Sequence, residues 1–178
     1  ARYREQARRM GNEAVAVVLE QVPEQGARTF HEALQFFRIL HFTLWLEGEY
    51  HNTIGRFDRP MISYLEQDLA SGRLDEDGAF ALLEEFFLSF NKDSNLYPCV
   101  QQGDNGQSMV LGGRDPQGGT VFNRLTRMCL EASRELKLID PKINLRVDRE
   151  TPLETYRLGT ELTREGLGFP QYSNDDVV

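Results

Sequence analysis

Along residues 3–22, "YREQARRMGNEAVAVVLEQV", Ala7, Met10, Ala14, Val17 and Val18 return near helical spacing while the arginines and glutamates take the other side. The pattern predicts one amphipathic helix with a solvated face, ended by "VPEQGAR". A second helix is predicted from Thr29, whose hydroxyl can cap it while Glu32, three residues on, closes a capping box. Residues 30–46 are apolar nearly all round, but Glu32, Gln35, Arg38 and His41 interrupt them, so they read as a helix buried in a large core rather than a membrane span. "GEYHNTIGRFD" reads as a loop, with Gly48 stopping the helix before it. Asp58 and Pro60 fit the N-cap and first turn of a helix reaching about Ala70 and ended by Gly72. Asp75 caps the next, "LDEDGAFALLEEFFLSFNK", whose stripe of Phe80, Leu83, Phe86, Phe87 and Phe90 predicts core.

After "DSNLYPCVQQGDNG", read as a loop, the period changes. "QSMVL" is short, apolar and followed by two glycines, which predicts a strand. "TVFNRLTRMCLEASRELK" is helical, "INLRV" a strand, and "TPLETYRLGTELTRE" a helix with Thr151 as cap, Pro152 in first position and Glu154 closing a box. "FPQYS" reads as a third strand. Two strand-helix-strand units in succession predict parallel strands with right-handed crossovers, an α/β architecture. Ligands in such sheets sit beyond the carboxyl ends of the strands. Those ends carry residues 112–115, Asp148 with Arg149, and residues 174–176.

Composition narrows the function classes. With 40% apolar and 10% aromatic residues in 178, the chain can bury roughly 70% of its unfolded surface as one domain. Acidic residues number 28 against 20 basic ones, a formal charge of -8, and the basic residues are scattered, which excludes nucleic acid and anionic membrane surfaces as partners. Cys99 and Cys129 lie far apart with no metal-ligand spacing or disulfide framework, as suits a reducing cytoplasm. His41 has no second histidine at helical spacing, so it reads as a hydrogen-bonded core residue and no metal site is expected. The chain opens on charged "RYREQARR" with no signal peptide, and the lack of an initiating Met hints at a piece of something longer.

The run "GRDPQGGT", from Gly113 to Thr120, has the spacing of a phosphate loop, but Gly119 stands where the lysine belongs and Asp115 would repel phosphate. Backbone N–H groups there could still hold an anion. An α/β domain binding a phosphorylated small molecule is therefore one functional alternative, and a glycine-rich turn that lets a helix pack on its strand is the structural one.

Taken in order, "TFHEALQFFRILH", "GRFDRPMISYLEQDLASGRLDEDGAFALLEEFFLSFNK", "SMVLGGRDPQGGTVFNRLTRMCLEA" and "PQYSNDD" resemble the pyruvate formate-lyase-like glycyl radical enzymes. The resemblance runs from about Thr29 to Asp176. It implies a single partial domain, with residues 1–92 as a helical layer and residues 93–178 as strand-helix repeats of a parallel half-barrel. It also implies a glycyl radical in the full-length enzyme, installed by an activating enzyme that uses S-adenosylmethionine and an iron-sulfur cluster. That radical oxidises a cysteine inside the barrel, and the thiyl abstracts hydrogen from a small organic substrate in a decarboxylation, dehydration or C–C, C–N or C–S cleavage. A cytoplasmic homodimer in anaerobic metabolism is expected.

The family's cysteine loop follows shortly after the segment that "PQYSNDD" resembles. Its radical glycine sits in an arginine-valine-x-glycine-tyrosine context that "RVDRE" lacks, and neither Cys99 nor Cys129 matches the thiyl position. The 178 residues are thus expected to contain no catalytic residue, to bind no cofactor and to be inactive alone. The substrate-binding positions implied are His51, with Asn52 replacing the family's serine, and polar residues of strands lining the barrel: Gln107 beside Met109, Asn144 beside Arg146, and Gln171 beside Ser173. A carboxylate partner is the other role open to Arg146. A catalytically dead relative serving as a helical interaction subunit is the third reading. If half a barrel is missing, an open sheet edge and a partly uncovered apolar helix are expected.

Overall fold

A computed structural model describes residues 2–48, 51–92 and 106–177. In chain order it contains α1 (Arg2–Arg9), α2 (Glu13–Gln21), α3 (Phe30–Leu46), β1 (Gly55–Arg56), α4 (Asp58–Ala70), α5 (Glu76–Phe90), β2 (Ser108–Gly112), α6 (Arg124–Leu136), β3 (Lys142–Val147), α7 (Leu153–Thr163) and β4 (Gln171–Asn174).

The single N-terminal helix expected from periodicity is in fact two. Gly11 has φ +74°, which an L side chain resists, and Asn12 then starts α2 by accepting the Val15 N–H at 3.1 Å. The buried face is also displaced: Ala16, Val18 and Val22 are covered, while Met10 and Val17 are largely exposed. In α3 the Thr29 hydroxyl accepts the Glu32 N–H at 3.1 Å as expected, but the Glu32 carboxylate reaches the Arg28 N–H at 2.8 Å rather than that of Thr29. The first half of α3 is buried through Phe30, Ala33 and Leu34, whereas Leu40, Leu44 and Leu46 are exposed at 49%, 52% and 64%. Toward its carboxyl end the helix is covered only in part, at His41.

Four parallel strands form one sheet in the order β1-β2-β3-β4. β1 falls within the run read as a loop, because two residues carry no periodicity for a sequence to display. On one sheet face Met109, Leu111, Ile143 and Leu145 are fully buried and join Phe57, Leu65, Leu83, Phe87, Phe90 and Leu125 from the helices in one core. Each such side chain contributes about 1.5–3 kcal/mol of burial. Ser108, Val110, Lys142, Asn144 and Arg146 alternate with them on the other face and stay half-buried, and β4 is exposed throughout. The sheet thus has an apolar side packed on helices and a polar side left open.

Three helix starts depart from expectation. Asp58 is not the cap of α4; Phe57 is, without a side-chain bond. Asp58 is instead fully buried, its Oδ2 accepting the Gly112 N–H at 2.8 Å and the Thr126 hydroxyl at 2.6 Å, so it ties α4 to the end of β2 and to α6. Burial pushes the Asp58 carboxyl up, with the Gly112 and Thr126 bonds opposing. α6 begins at Arg124, not Thr120, because Asn123 and Thr126 form a reciprocal capping box. The box expected before α7 does not form: the Thr151 hydroxyl bonds Asp148 and Glu154 pairs with Arg127 across to α6. α5 starts as expected, Asp75 accepting the Gly78 N–H at 2.8 Å.

Candidate functional site

Every strand of the sheet ends or is followed by a charged side chain at its carboxyl end, and glycine lets these converge. Gly112 and Gly113 turn the chain after β2 with φ of +70° and +82°. A Cβ on Gly113 would stand 2.9 Å from Asp175 Oδ2, 3.0 Å from Arg146 Cβ and 3.0 Å from Arg56 Nη2, so the missing side chain is the space in which those three meet. Asp175 accepts the Arg146 Nε at 2.7 Å and the Arg114 N–H at 3.2 Å. Asp148, with no exposed side-chain surface, accepts Arg114 Nε at 2.9 Å, the Glu150 N–H at 2.8 Å and the hydroxyls of Thr120 and Thr151. Burial pushes Asp148 up, but these four donors outweigh it and leave the carboxyl below its ordinary value. Asp176 accepts Arg114 Nη2 at 2.7 Å and the Arg149 N–H at 2.7 Å. One arginine, Arg114, thereby joins the turn after β2 to the residues following β3 and β4.

The residues expected to touch substrate separate into three places. Arg146 and Gln171 lie together on the open face, where the register pairs Asn144 with Gln171 and Arg146 with Ser173. Arg146 also has the carboxylate partner that was its other expected role, Asp175. Gln107 shares a face with Met109 as alternation requires, but that face is the one packed on helices. Its Nε2 donates to the Phe90 carbonyl at 3.3 Å, its N–H donates to Asp140 at 3.1 Å, and it is 1% exposed. The expectation that it lines the open side is corrected, because the side of β2 carrying the Met109 and Leu111 side chains must meet the core.

His51 and Asn52 sit at the amino end of the sheet. Ile54 N–H donates to Ser108 O at 2.7 Å, and the His51 ring lies against Gly106, where an added Cβ would meet Nδ1 at 2.5 Å. Six residue steps lead from Gly106 to Gly112, the partner of Arg146, about 20 Å of extended chain at ~3.3 Å per residue. The open face runs between these two ends. Arg56 and Arg59 were missed by the sequence reading because β1 was taken for loop; the signal available was the pair of arginines in "GRFDR" at the start of a helix.

Other expected features resolve simply. His41 is a core histidine, 4% exposed, bonded to the Asn52 carbonyl at 3.1 Å and edge-on to Phe90. Cys129 is buried in α6, and desolvation pushes its thiol well up, which disfavours a thiolate; Cys99 lies outside the described residues. In the run from Gly113 to Thr120 the Gln117 and Gly119 N–H groups both donate to Asp115 Oδ1, at 2.9 and 2.8 Å, so a carboxylate fills the place a phosphate would need. Among the described residues no cluster of His, Cys, Asp or Glu is arranged to hold a metal ion, and no helix is long and apolar enough to cross a membrane.

A family model described as pyruvate formate lyase-like matches residues 2–178. The trans-4-hydroxy-L-proline dehydratase of Clostridioides difficile is 27% identical over 99% of the chain and 25% of its own length. The isethionate sulfite-lyase of Nitratidesulfovibrio vulgaris is 31% identical over 93% of the chain and 21% of its own length. The glycerol-bound B12-independent glycerol dehydratase of Clostridium butyricum superposes with a TM-score of 0.89 at 28% identity, covering 99% of the chain and 24% of that protein. These relatives are glycyl radical enzymes, and the expected fold, helices on part of a parallel-stranded half-barrel, is the one they share. The chain spans a quarter of their length or less.

Proposed function

Because the chain belongs to the pyruvate formate lyase-like family, as its match over residues 2–178 shows, we propose that it forms one part of a longer glycyl radical lyase acting on a small organic substrate. The relatives named above are two dehydratases and a sulfite-lyase, enzymes that break a bond beside a functionalised carbon. That family match carries the proposal, and the two-sided sheet supports it. An apolar side sealed by helices and a polar side left open are what a strand layer needs if it walls a dry reaction cavity.

In this reading the glycyl radical of the whole protein supplies hydrogen abstraction from residues outside these 178, after an activating enzyme has installed it with S-adenosylmethionine and an iron-sulfur cluster. This chain binds no cofactor of its own. Its residues orient the substrate. The Asn144 and Gln171 amides, neighbours across β3 and β4, can each donate to and accept from substrate oxygen. His51 and Asn52 approach the substrate from the amino end, the imidazole exchanging a proton with substrate oxygen, while Arg146, held by Asp175 at the other end of the face, bounds the cavity there rather than touching the same small molecule. Gln107 supports β2 from behind. The whole enzyme works as a cytoplasmic homodimer.

The test uses the full-length protein, activated without air by its activating enzyme, with electron paramagnetic resonance to detect a glycyl radical. Expected are a stable radical signal and turnover of at least one of trans-4-hydroxy-L-proline, isethionate or glycerol, or of a close analogue. A fully activated sample that never shows the radical overturns the proposal.

A further inference from the structure

Residues 39–46, about the last two turns of α3, carry no charged side chain, and His41 and Thr43 are their polar members. Of this stretch only His41 is buried. Leu40, Leu44 and Leu46 are 49%, 52% and 64% exposed, with Ile39, Phe42 and Trp45 half-buried between them. Single exposed leucines are ordinary on a protein surface, whereas an uncharged run apolar nearly all round belongs to an enclosed helix. Thr43 fits the same environment. Its hydroxyl donates to the Ile39 carbonyl at 2.8 Å, so covering it strands no donor.

The uncovered side chains do not share one side of the helix. At about 100° per residue, Leu40 and Leu44 stand about 40° apart, whereas Leu46 points about 160° away from Leu44. Leu46 lies instead about three turns along from Gln35, on the side where a hollow of about 700 Å³ opens between α3 and α5 beside the half-exposed Leu88. A second copy of the chain, meeting its mate across one patch, would cover one of these sides and leave the other wet. A lipid surface does not fit either. A helix lying in that interface sets basic residues on a polar face, which these turns lack, and no described helix is long and apolar enough to cross a membrane. The remainder of a longer protein can reach both sides, and these residues span a quarter or less of the length of their relatives.

We propose that the carboxyl-end turns of α3 are clasped by two apolar segments of the longer chain from outside residues 1–178, one seated on Leu40 and Leu44, the other on Leu46 and the hollow beside Leu88. This rests on the reading of the chain as one part of a longer enzyme. The clasp also bears on the site. His41, within the clasped turns, donates from Nε2 to the Asn52 carbonyl at 3.1 Å, so whatever holds these turns holds the segment that carries His51 and Asn52.

The test uses the full-length protein before activation, with the photoreactive residue p-benzoylphenylalanine in place of Leu44 or of Leu46. Illumination is expected to join each position to a peptide from outside residues 1–178, in a product with the mass of one chain. In a second measurement, Leu44→Cys and Leu46→Cys should each react with a maleimide at least a hundredfold more slowly in the native protein than in urea, read at the labelled peptide by mass spectrometry. A crosslinked product of doubled mass, crosslinks confined to residues 1–178, or labelling of either cysteine within about tenfold of its rate in urea overturns the clasp. Neither measurement needs a radical. Free labelling in a protein that shows the radical defeats the clasp alone, and protected cysteines in one that never shows it defeat the radical-enzyme reading alone.

Discussion

Replacing Asp148 with asparagine isolates the network at the strand ends, since the side chain keeps its shape and loses one charge and one acceptor. The carboxylate receives Glu150 N–H and the Thr151 hydroxyl on Oδ1 and Arg114 Nε on Oδ2, with the Thr120 hydroxyl shared between the oxygens. An amide can satisfy one set but must turn its NH2 toward donors on the other side. Losing charge-assisted bonds in a buried site costs several kcal/mol, reduced because the Arg114 side chain is 35% exposed and can rehydrate. A net loss of about 2–4 kcal/mol follows, confined to the segment that Arg114 ties down. Hydrogen-exchange mass spectrometry of the full-length protein should then show residues 149–177 exchanging about 30- to 700-fold faster, at a factor of ten per ~1.4 kcal/mol. The pH dependence has a definite sign. A carboxyl held below its ordinary value stabilises the fold fully above the unfolded value of about 4, and loses that contribution as pH falls through the lower folded value. The difference between wild type and variant should therefore be flat above about pH 5 and shrink in more acid solution. Exchange within about threefold of wild type at pH 7, or a difference that grows on acidification, would refute the assignment of Asp148 as the hub.

Two further substitutions test the turn and the buried acid. Gly113→Ala must place a methyl among Asp175, Arg146 and Arg56 at φ +82°, so calorimetry of the full-length protein should register about 2–4 kcal/mol lost, against ~1–2 for Gly118→Ala, which has similar strain and open space around it; equal losses would count against convergence at Gly113. Asp58→Asn mimics the protonated acid that burial favours, so wild type should lose stability relative to it as pH rises above about 4, while Asp58→Ala, which strands the Gly112 N–H and the Thr126 hydroxyl, should cost about 2–4 kcal/mol in denaturant unfolding; a variant difference independent of pH would mean the buried carboxyl is not strained.

Much of the architecture is legible from local pattern because local pattern is what forms it. The stripe of Leu83, Phe86, Phe87 and Phe90 had one face to bury, Asp75 had a free N–H three residues on, and alternation in "INLRV" put Ile143, Leu145 and Val147 on one side of β3 and Asn144 with Arg146 on the other. Even the family can be read from the order of such segments. Apart from the break at Gly11, the shifted face of α2 and the two-residue β1, the departures concern polar groups with more than one possible partner. Thr151 and Glu154 had the spacing of a cap, yet Asp148 and Arg127, distant or unremarkable in sequence, offered charged partners instead. Asp58 looked like an N-cap until β2 and α6 brought it two donors.

The sequence by itself determined which residues are apolar, at what period they recur and which turns need glycine, and so the elements and the parallel sheet that follow from them. Only the tertiary structure decided which face of each strand is open, sending Gln107 into the core and Arg146 outward, and which charges find one another. Hydrophobic periodicity acts between neighbours a few residues apart, whereas the pairing of Arg146 with Asp175, or of the Arg56 guanidinium with the Gly112 and Arg114 carbonyls, depends on strands that meet only after the chain has crossed over its helices.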